Sequence, residues 1–121
     1  MRAATAPNGA IYKVMTSALW QASVRGEVVL PMPVDTNDGF MHLSARDQLE
    51  ETLRVHFAGQ RDLELVAIDP IELGMGLAWE PSRGGALFPH LYAPCPMRAV
   101  LWHAPLEPAR DGGFILPAAR G

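Results

Sequence analysis

Two short stretches of this chain hold the residue types that could do acid–base and anion chemistry. The first is Asp38-Gly39-Phe40-Met41-His42-Leu43-Ser44. Asp38-Gly39 is turn chemistry, because glycine accepts positive φ without steric cost. Phe40, Met41 and Leu43 suit a buried or half-buried strand, and Ser44 followed by Asp47 has the spacing of a helix cap. His42 is therefore expected where a strand hands over to a helix, an ionisable ring fixed in place yet facing a cleft. The second stretch runs from Pro81 to Pro96 and carries Arg83, Phe88, His90 and Tyr92. Its prolines and paired glycines argue against a long helix or a smooth central strand. Polar and aromatic groups on a constrained loop are a frequent binding arrangement. His90 and Tyr92, two apart, fall on one face if the backbone is extended.

The chemistry these residues can do is specific. An imidazole takes or gives a proton near neutral pH. Arg83 can grip phosphate or carboxylate through a bidentate fork. Tyr92 and Trp79 can stack on a ring. Each also has a plainer reading: His42 as a core histidine bonded to a carbonyl, His90 as a loop anchor, Glu80 with Arg83 as a surface ion pair of little energetic value. His56 lies near a helix C-terminus, where its charged form is favoured, and His103 reads as a strand residue. Cys95, between two prolines, has no base beside it and is not a nucleophile candidate.

The elements that must position these residues follow from periodicity. Ile11 to Val14 reads as a first strand and 17–25 as a helix ended by Gly26 in a left-handed cap. Val28 to Leu30 is a short strand, Val34 to Asp38 a polar loop, and 40–43 a strand. Leu49, Leu53 and Phe57 recur every four residues, so 45–58 is helical, with Thr52 and His56 beside that stripe and Gly59 closing it. Leu63 to Ile68 is nearly continuous in apolar residues, as a central strand would be. Asp69-Pro70 opens a short helical turn. Strands follow at Leu77–Glu80 and 99–104, with a further edge strand at Phe114 to Leu116. The expected fold class is α+β.

Composition sets outer bounds. A chain of 121 residues is long enough for one domain with a real core, and 49% apolar residues argue against disorder. A net charge of −3 gives no reason to expect DNA or an anionic membrane as partner. One cysteine suits a reducing compartment, and no apolar run approaches a membrane span. The expected location is the cytoplasm. Residues 1–9 read as a frayed leader, 10–117 as the globular domain and 118–121 as a tail. Metal is not expected, because no His-x-His, His-Glu-x-x-His or cysteine pair is present. Gly84-Gly85 lacks the Lys-Ser or Lys-Thr of a phosphate loop.

Tyr12-Lys13, Trp20, Gly39-Phe40-Met41-His42-Leu43-Ser44, Gln48, Phe57 and Trp79-Glu80-Pro81 with Phe88-Pro89-His90-Leu91-Tyr92 together resemble a family of small bacterial proteins, domain of unknown function 952. The likeness covers about residues 10–117. It implies an ADP-ribosyltransferase-like fold, a split and mostly antiparallel β core with helices outside. In enzymes of that fold an early strand carries an aromatic, then His or Arg, then Gly with Ser or Thr. Tyr12, Lys13, Val14 and Met15 stand there, so the His and the Gly are absent. Gly39, Phe40 and Ser44 match a later strand that supports the nicotinamide pocket, with His42 added. Glu80 is the candidate for a late acidic residue that orients a ribose hydroxyl. A related RNA phosphotransferase branch binds phosphate through Arg and His, as Arg83 and His90 could, but this chain lacks the basic surface RNA needs.

Two readings follow. In the first, the protein is an enzyme, a transferase or hydrolase of ADP-ribosyltransferase-like type acting on a nucleotide or NAD-like ligand that bears phosphate or carboxylate. His42, His90 and Glu80 are its catalytic candidates, and Lys13, Phe40, Ser44, Trp79, Arg83, Phe88 and Tyr92 its ligand-binding candidates. In the second, the same pocket belongs to a non-catalytic module that binds a small metabolite or a protein. Both readings expect His42, Ser44, Arg83, His90 and Tyr92 to converge on one cleft, with Trp79 or Glu80 at its wall.

Overall fold

The computed structural model describes residues 9–117, and the side chain of Arg83 lies outside what it describes. The expected leader at 1–9, except Gly9, and the expected tail at 118–121 also lie outside the described residues. Strand β1 (Ile11–Thr16) leads into α1 (Ser17–Gly26), whose first turn is capped by the Thr16 hydroxyl accepting from the Leu19 amide at 3.1 Å. Glu27, not Gly26, takes the left-handed cap, with φ 59°. Then come β2 (Val28–Val29), α2 (Pro33–Asp38), β3 (Met41–His42) and β4 (Ser44–Ala45). A 3₁₀ turn at Arg46–Gln48 runs into α3 (Leu49–His56), followed by β5 (Leu63–Ile68). The second half holds β6 (Leu77–Pro81), β7 (Leu87–Leu91), β8 (Cys95–Pro96), β9 (Val100–Pro105), β10 (Glu107–Pro108) and β11 (Phe114–Ile115).

Among the described residues, every strand pairing is antiparallel. A four-stranded sheet runs β4-β1-β5-β9 and a three-stranded one β3-β7-β6, with β2–β8 and β10–β11 as small ribbons. The class is α+β in one domain. The main sheet is covered on both faces. Ile11, Met15, Val66 and Ile68 pack against Trp20 of α1 and against Met41 and Leu91 of the second sheet. Tyr12, Val14, Leu63 and Leu65 pack against Leu49 and Leu53 of α3. That double burial is why β5 reads as a nearly unbroken apolar run.

Three expectations fail here for local reasons. The polar loop at 34–38 is a helix, α2. Pro33 opens it, and the Asp35 carboxylate accepts from the Met32 amide at 2.7 Å, which caps it despite a polar sequence. Ser44 caps no helix, because it is strand, paired with Tyr12. Gln48 does the capping instead, its side-chain oxygen accepting from the Ala45 amide at 2.9 Å, and the helix ends at His56, before Gly59. The proline-bearing segment does form a central strand, β7. Strand residues direct N–H and C=O to the same side, and the Pro89 carbonyl accepts from the Leu43 amide. The missing Pro89 N–H therefore faces the break between β3 and β4 and not β6, where a ladder bond would be lost.

Gly76 lies where β6 begins, and its carbonyl accepts from the Tyr92 amide at 2.8 Å. A Cβ there would sit 2.6 Å from the Cβ of Ala93, an atom with no rotamer to retreat into. Gly76→Ala is expected to destabilise by about 1–3 kcal/mol through overpacking, read from the urea midpoint.

Candidate functional site

His42 and His90 are register partners on β3 and β7. The Leu43–Pro89 bond on one side of them makes theirs a non-hydrogen-bonded pair, the kind whose side chains lie closest. Their ring centroids are 5.5 Å apart. The same face of this sheet carries Phe40, Phe88, Tyr92 and Glu80, all at the same alternation as the two histidines. The Phe40 ring sits 4.5 Å from His42, 4.2 Å from His90 and 5.2 Å from Tyr92, centroid to centroid.

Each imidazole is oriented by a carboxylate. Asp38 meets His42 Nε2 at 2.8 Å, and Glu80 meets His90 Nδ1 at 2.8 Å. A carboxylate only accepts, so each of these nitrogens carries the proton in the neutral ring. The nitrogen left for a ligand is then Nδ1 on His42 and Nε2 on His90, each a proton acceptor. Glu80 Oε1 also accepts from the Tyr92 hydroxyl at 2.7 Å. That bond, then the one to His90, holds the Glu80 carboxyl below its ordinary range, while the same contact raises the Tyr92 phenol.

The backbone of His42 is held just as firmly. β3 is an edge strand, and at a non-hydrogen-bonded position His42 turns its amide and carbonyl away from β7. Asp35 Oδ1 accepts from that amide at 2.9 Å and Lys13 Nζ donates to that carbonyl at 2.9 Å. Lys13 and Asp35 pair with each other at 2.6 Å, both almost wholly buried. Burial lowers the Lys13 pKa more than Asp35 raises it. The ion pair thus replaces the missing neighbouring strand.

A pocket of ≈ 320 Å³ opens beside this pair. β4 pairs with β1 only at Ile11 and Tyr12. Beyond that point the edge of β1 is uncovered, and Lys13 and Val14 form part of the pocket lining together with His42, His90 and Phe88. Val34 of α2 and Thr52, His56 and Phe57 at α3 complete other walls, with Ser44 and Ser82.

Lys13, His42, Ser44, Phe88 and His90 thus share this one cavity. Phe40 and Tyr92 line a neighbouring hollow with Met41, Leu91 and Cys95, and Tyr92 reaches the histidines through Glu80. Trp79 pairs with Pro89, so it lies on the opposite face of the sheet from His90 and is half exposed. Arg83 follows Ser82 in the chain, its side chain outside the described residues. Lys13, expected to meet a ligand directly, has its ammonium on Asp35 and the His42 carbonyl. Glu80, expected to pair with Arg83, has its Oε1 on His90 and Tyr92.

A family model described as "Protein of unknown function (DUF952)" matches residues 14–103, which takes in both histidine segments. The chain belongs to this family. Its DUF952 fold is also that of protein CC0527 from Caulobacter crescentus. The crystal structure of that protein is 42% identical over 88% of this chain and 93% of its own, with a TM-score of 0.84. Its solution NMR structure is 43% identical over 86% and 90%, with a TM-score of 0.77. Among curated proteins no relative matches this chain.

Asp35, Asp38, Thr52, His56 and Ser82 belong to this candidate site but were not expected as site residues from the sequence. Asp38 was visible only as turn chemistry, and Asp35 lay in an apparent loop. Thr52 and His56 were marked beside the helix stripe, but the pocket they line exists only once α3 packs across β1. The remaining histidine, His103, bonds Glu64 at 2.6 Å and packs on Trp20, away from the pocket. Cys95 is buried, its thiol pushed up to about 11 by desolvation, which keeps it unreactive. Among the described residues no group of three or more His, Cys, Asp or Glu is placed to hold a metal ion, and no helix is long and apolar enough to cross a membrane.

The Glu80 anchor gives a pH expectation. A carboxylate whose folded pKa is depressed contributes stability that is present above its unfolded pKa and lost as pH falls through the folded one. Acid should therefore loosen His90 and Tyr92 only below the ordinary carboxylate range. Tyr92→Phe removes the largest cause of the depression and should move the Glu80 titration upward, as followed by carboxyl carbon NMR. An unmoved titration would show that Tyr92 does not hold Glu80.

Proposed function

We propose that the protein is an enzyme acting on a nucleotide or NAD-like ligand that bears phosphate or carboxylate, a transferase or hydrolase of ADP-ribosyltransferase-like type working in the cytoplasm. One observation carries the reading: two imidazoles meet edge-on with centroids 5.5 Å apart, each oriented by its own carboxylate, at the wall of a ligand-sized pocket. Histidine titrates at about pH 6.5 in its ordinary state, so two such rings on one substrate can divide the work, one taking a proton and one giving it. Phe40 and Tyr92 offer ring faces for a nicotinamide or base, and Arg83, next to Ser82, supplies positive charge for phosphate. Glu80 works through His90, as a positioning group. The split between the two sheets, with a pocket in it, supports the ADP-ribosyltransferase-like reading of the fold.

The test is a thermal-shift screen of nucleotides and NAD-related compounds, followed by assay of each hit for chemical change. A ligand specific for the folded state at a hundred times its Kd stabilises by about 2.7 kcal/mol, well within reach of that measurement. We expect a phosphate-bearing hit that the protein converts. A hit that stays bound and unchanged would select the non-catalytic binding module, and no hit at all would overturn the ligand class.

A further inference from the structure

The pocket is rich in donors and poor in acids. It gathers His42, His56 and His90, three of the four histidines of the chain, together with Lys13, Ser44 and Thr52. Among the described residues no aspartate or glutamate lines it, although the chain carries 13 acidic residues and a net charge of −3. The carboxylates near it stand behind the donors: Asp35 behind Lys13, Asp38 on His42 and Glu80 on His90. They bond the N–H groups and ring nitrogens and are not themselves among the lining residues.

Part of the pocket wall comes from α3. Thr52 and His56 are one turn apart, so they project from the same side of the helix. They flank the Leu49–Leu53 stripe that anchors the helix to β1, which fixes where they point. The Thr52 hydroxyl lies 3.2 Å from that of Ser44, so two hydroxyls meet at the pocket wall. His56 belongs to the last turn of α3 and is solvent-exposed, at the cavity's outer rim. The α3 side of the pocket thus adds an imidazole and a hydroxyl to the lining that also holds His42, His90 and Ser44.

We infer that Thr52 and His56 form an anion subsite that holds a phosphate group of the ligand while His42 and His90 act beside it. The inference rests on the proposed function for the word ligand, but not for the binding itself. The chemistry that fits is a phosphate monoester or diphosphate; an uncharged nucleoside lacks what this wall recognises. Thr52 would donate its hydroxyl proton, and His56, when protonated, an N–H to the same oxygens.

The experiment is an NMR titration of the full-length protein with inorganic phosphate, with ADP and with adenosine, repeated on Thr52→Val with His56→Gln. Phosphate and ADP are expected to shift the Thr52 and His56 signals saturably, and adenosine to leave them in place. The double variant should bind both anions at least tenfold more weakly while staying folded, with only a modest fall in melting temperature, since Thr52→Val keeps the side-chain shape but gives up the contact with the Ser44 hydroxyl and His56 is exposed. Thr52→Ser serves as a check and should restore binding in the presence of His56. Anion binding equal to wild type in the double variant would overturn the subsite, as would shifts confined to other residues. The two proposals fail separately. Phosphate bound at Thr52 and His56 by a protein that converts nothing leaves the subsite standing and removes the enzyme. Turnover untouched by the double variant does the reverse.

Discussion

Asp35→Ala is expected to destabilise the protein by about 3–5 kcal/mol, the typical cost of breaking a buried ion pair from one side. The Asp35 side chain is 1% exposed and that of Lys13 4%. Its two oxygens accept from Lys13 Nζ, the Met32 amide and the His42 amide, so one substitution leaves an ammonium and two amides without their acceptor. Burial already lowers the Lys13 pKa against the pull of Asp35. Without Asp35 it must fall further. The unfolded chain then binds a proton that the folded one sheds, so stability of the variant should rise with pH up to the ordinary lysine range. Urea titrations at neutral and alkaline pH check both the size and the slope. Lys13→Met with Asp35→Leu should recover only part of the loss, because the His42 amide and carbonyl and the Met32 amide stay unpaired. A cost under about 1 kcal/mol for Asp35→Ala would mean that water replaces the carboxylate and that the pair is not what fixes His42.

The parts of this molecule that could be read from sequence are those governed by period. β5 is buried on both faces, so its apolar run is nearly unbroken, and α3 carries a four-spaced stripe. What could not be read depends on partners far along the chain. α2 has almost no apolar period of its own, and the signals it does carry, Pro33 and a capping Asp35, are easily taken for loop chemistry. Pro89 argued against a central strand, yet it is harmless there because its lost donor faces the gap between β3 and β4. The site divides along the same line. His42 and His90 stood out because each is an ionisable residue beside turn signals. Their register, 42 opposite 90, is a tertiary fact. So are the roles of Lys13, which serves the His42 backbone, and of Trp79, which one residue of strand alternation sends to the far face.

His90→Ala is expected to lower turnover of the converted ligand by about 10²–10⁴-fold, the usual contribution of a positioned acid or base. His42→Ala should do the same. If the two rings act on one step, the double variant should lose little more than either single one, because the second group has nothing left to cooperate with. Stability should separate this from a packing effect. His42 is partly exposed, and its backbone anchors survive the substitution, so the cost there should stay near 1 kcal/mol. His90 is 6% exposed and bonded to Glu80, and its loss should cost about 1–3 kcal/mol, which leaves most of a small domain's stability in place. Glu80→Gln keeps a carbonyl oxygen for His90 Nδ1 and the Tyr92 hydroxyl, so its loss of rate should be smaller than that of His90→Ala. Rates, urea midpoints and the double-variant cycle together decide the matter. Losses that multiply would place His42 and His90 on separate steps. Two single variants that unfold would make both histidines core residues, with the carboxylates beside them as their hydrogen-bond partners and nothing more.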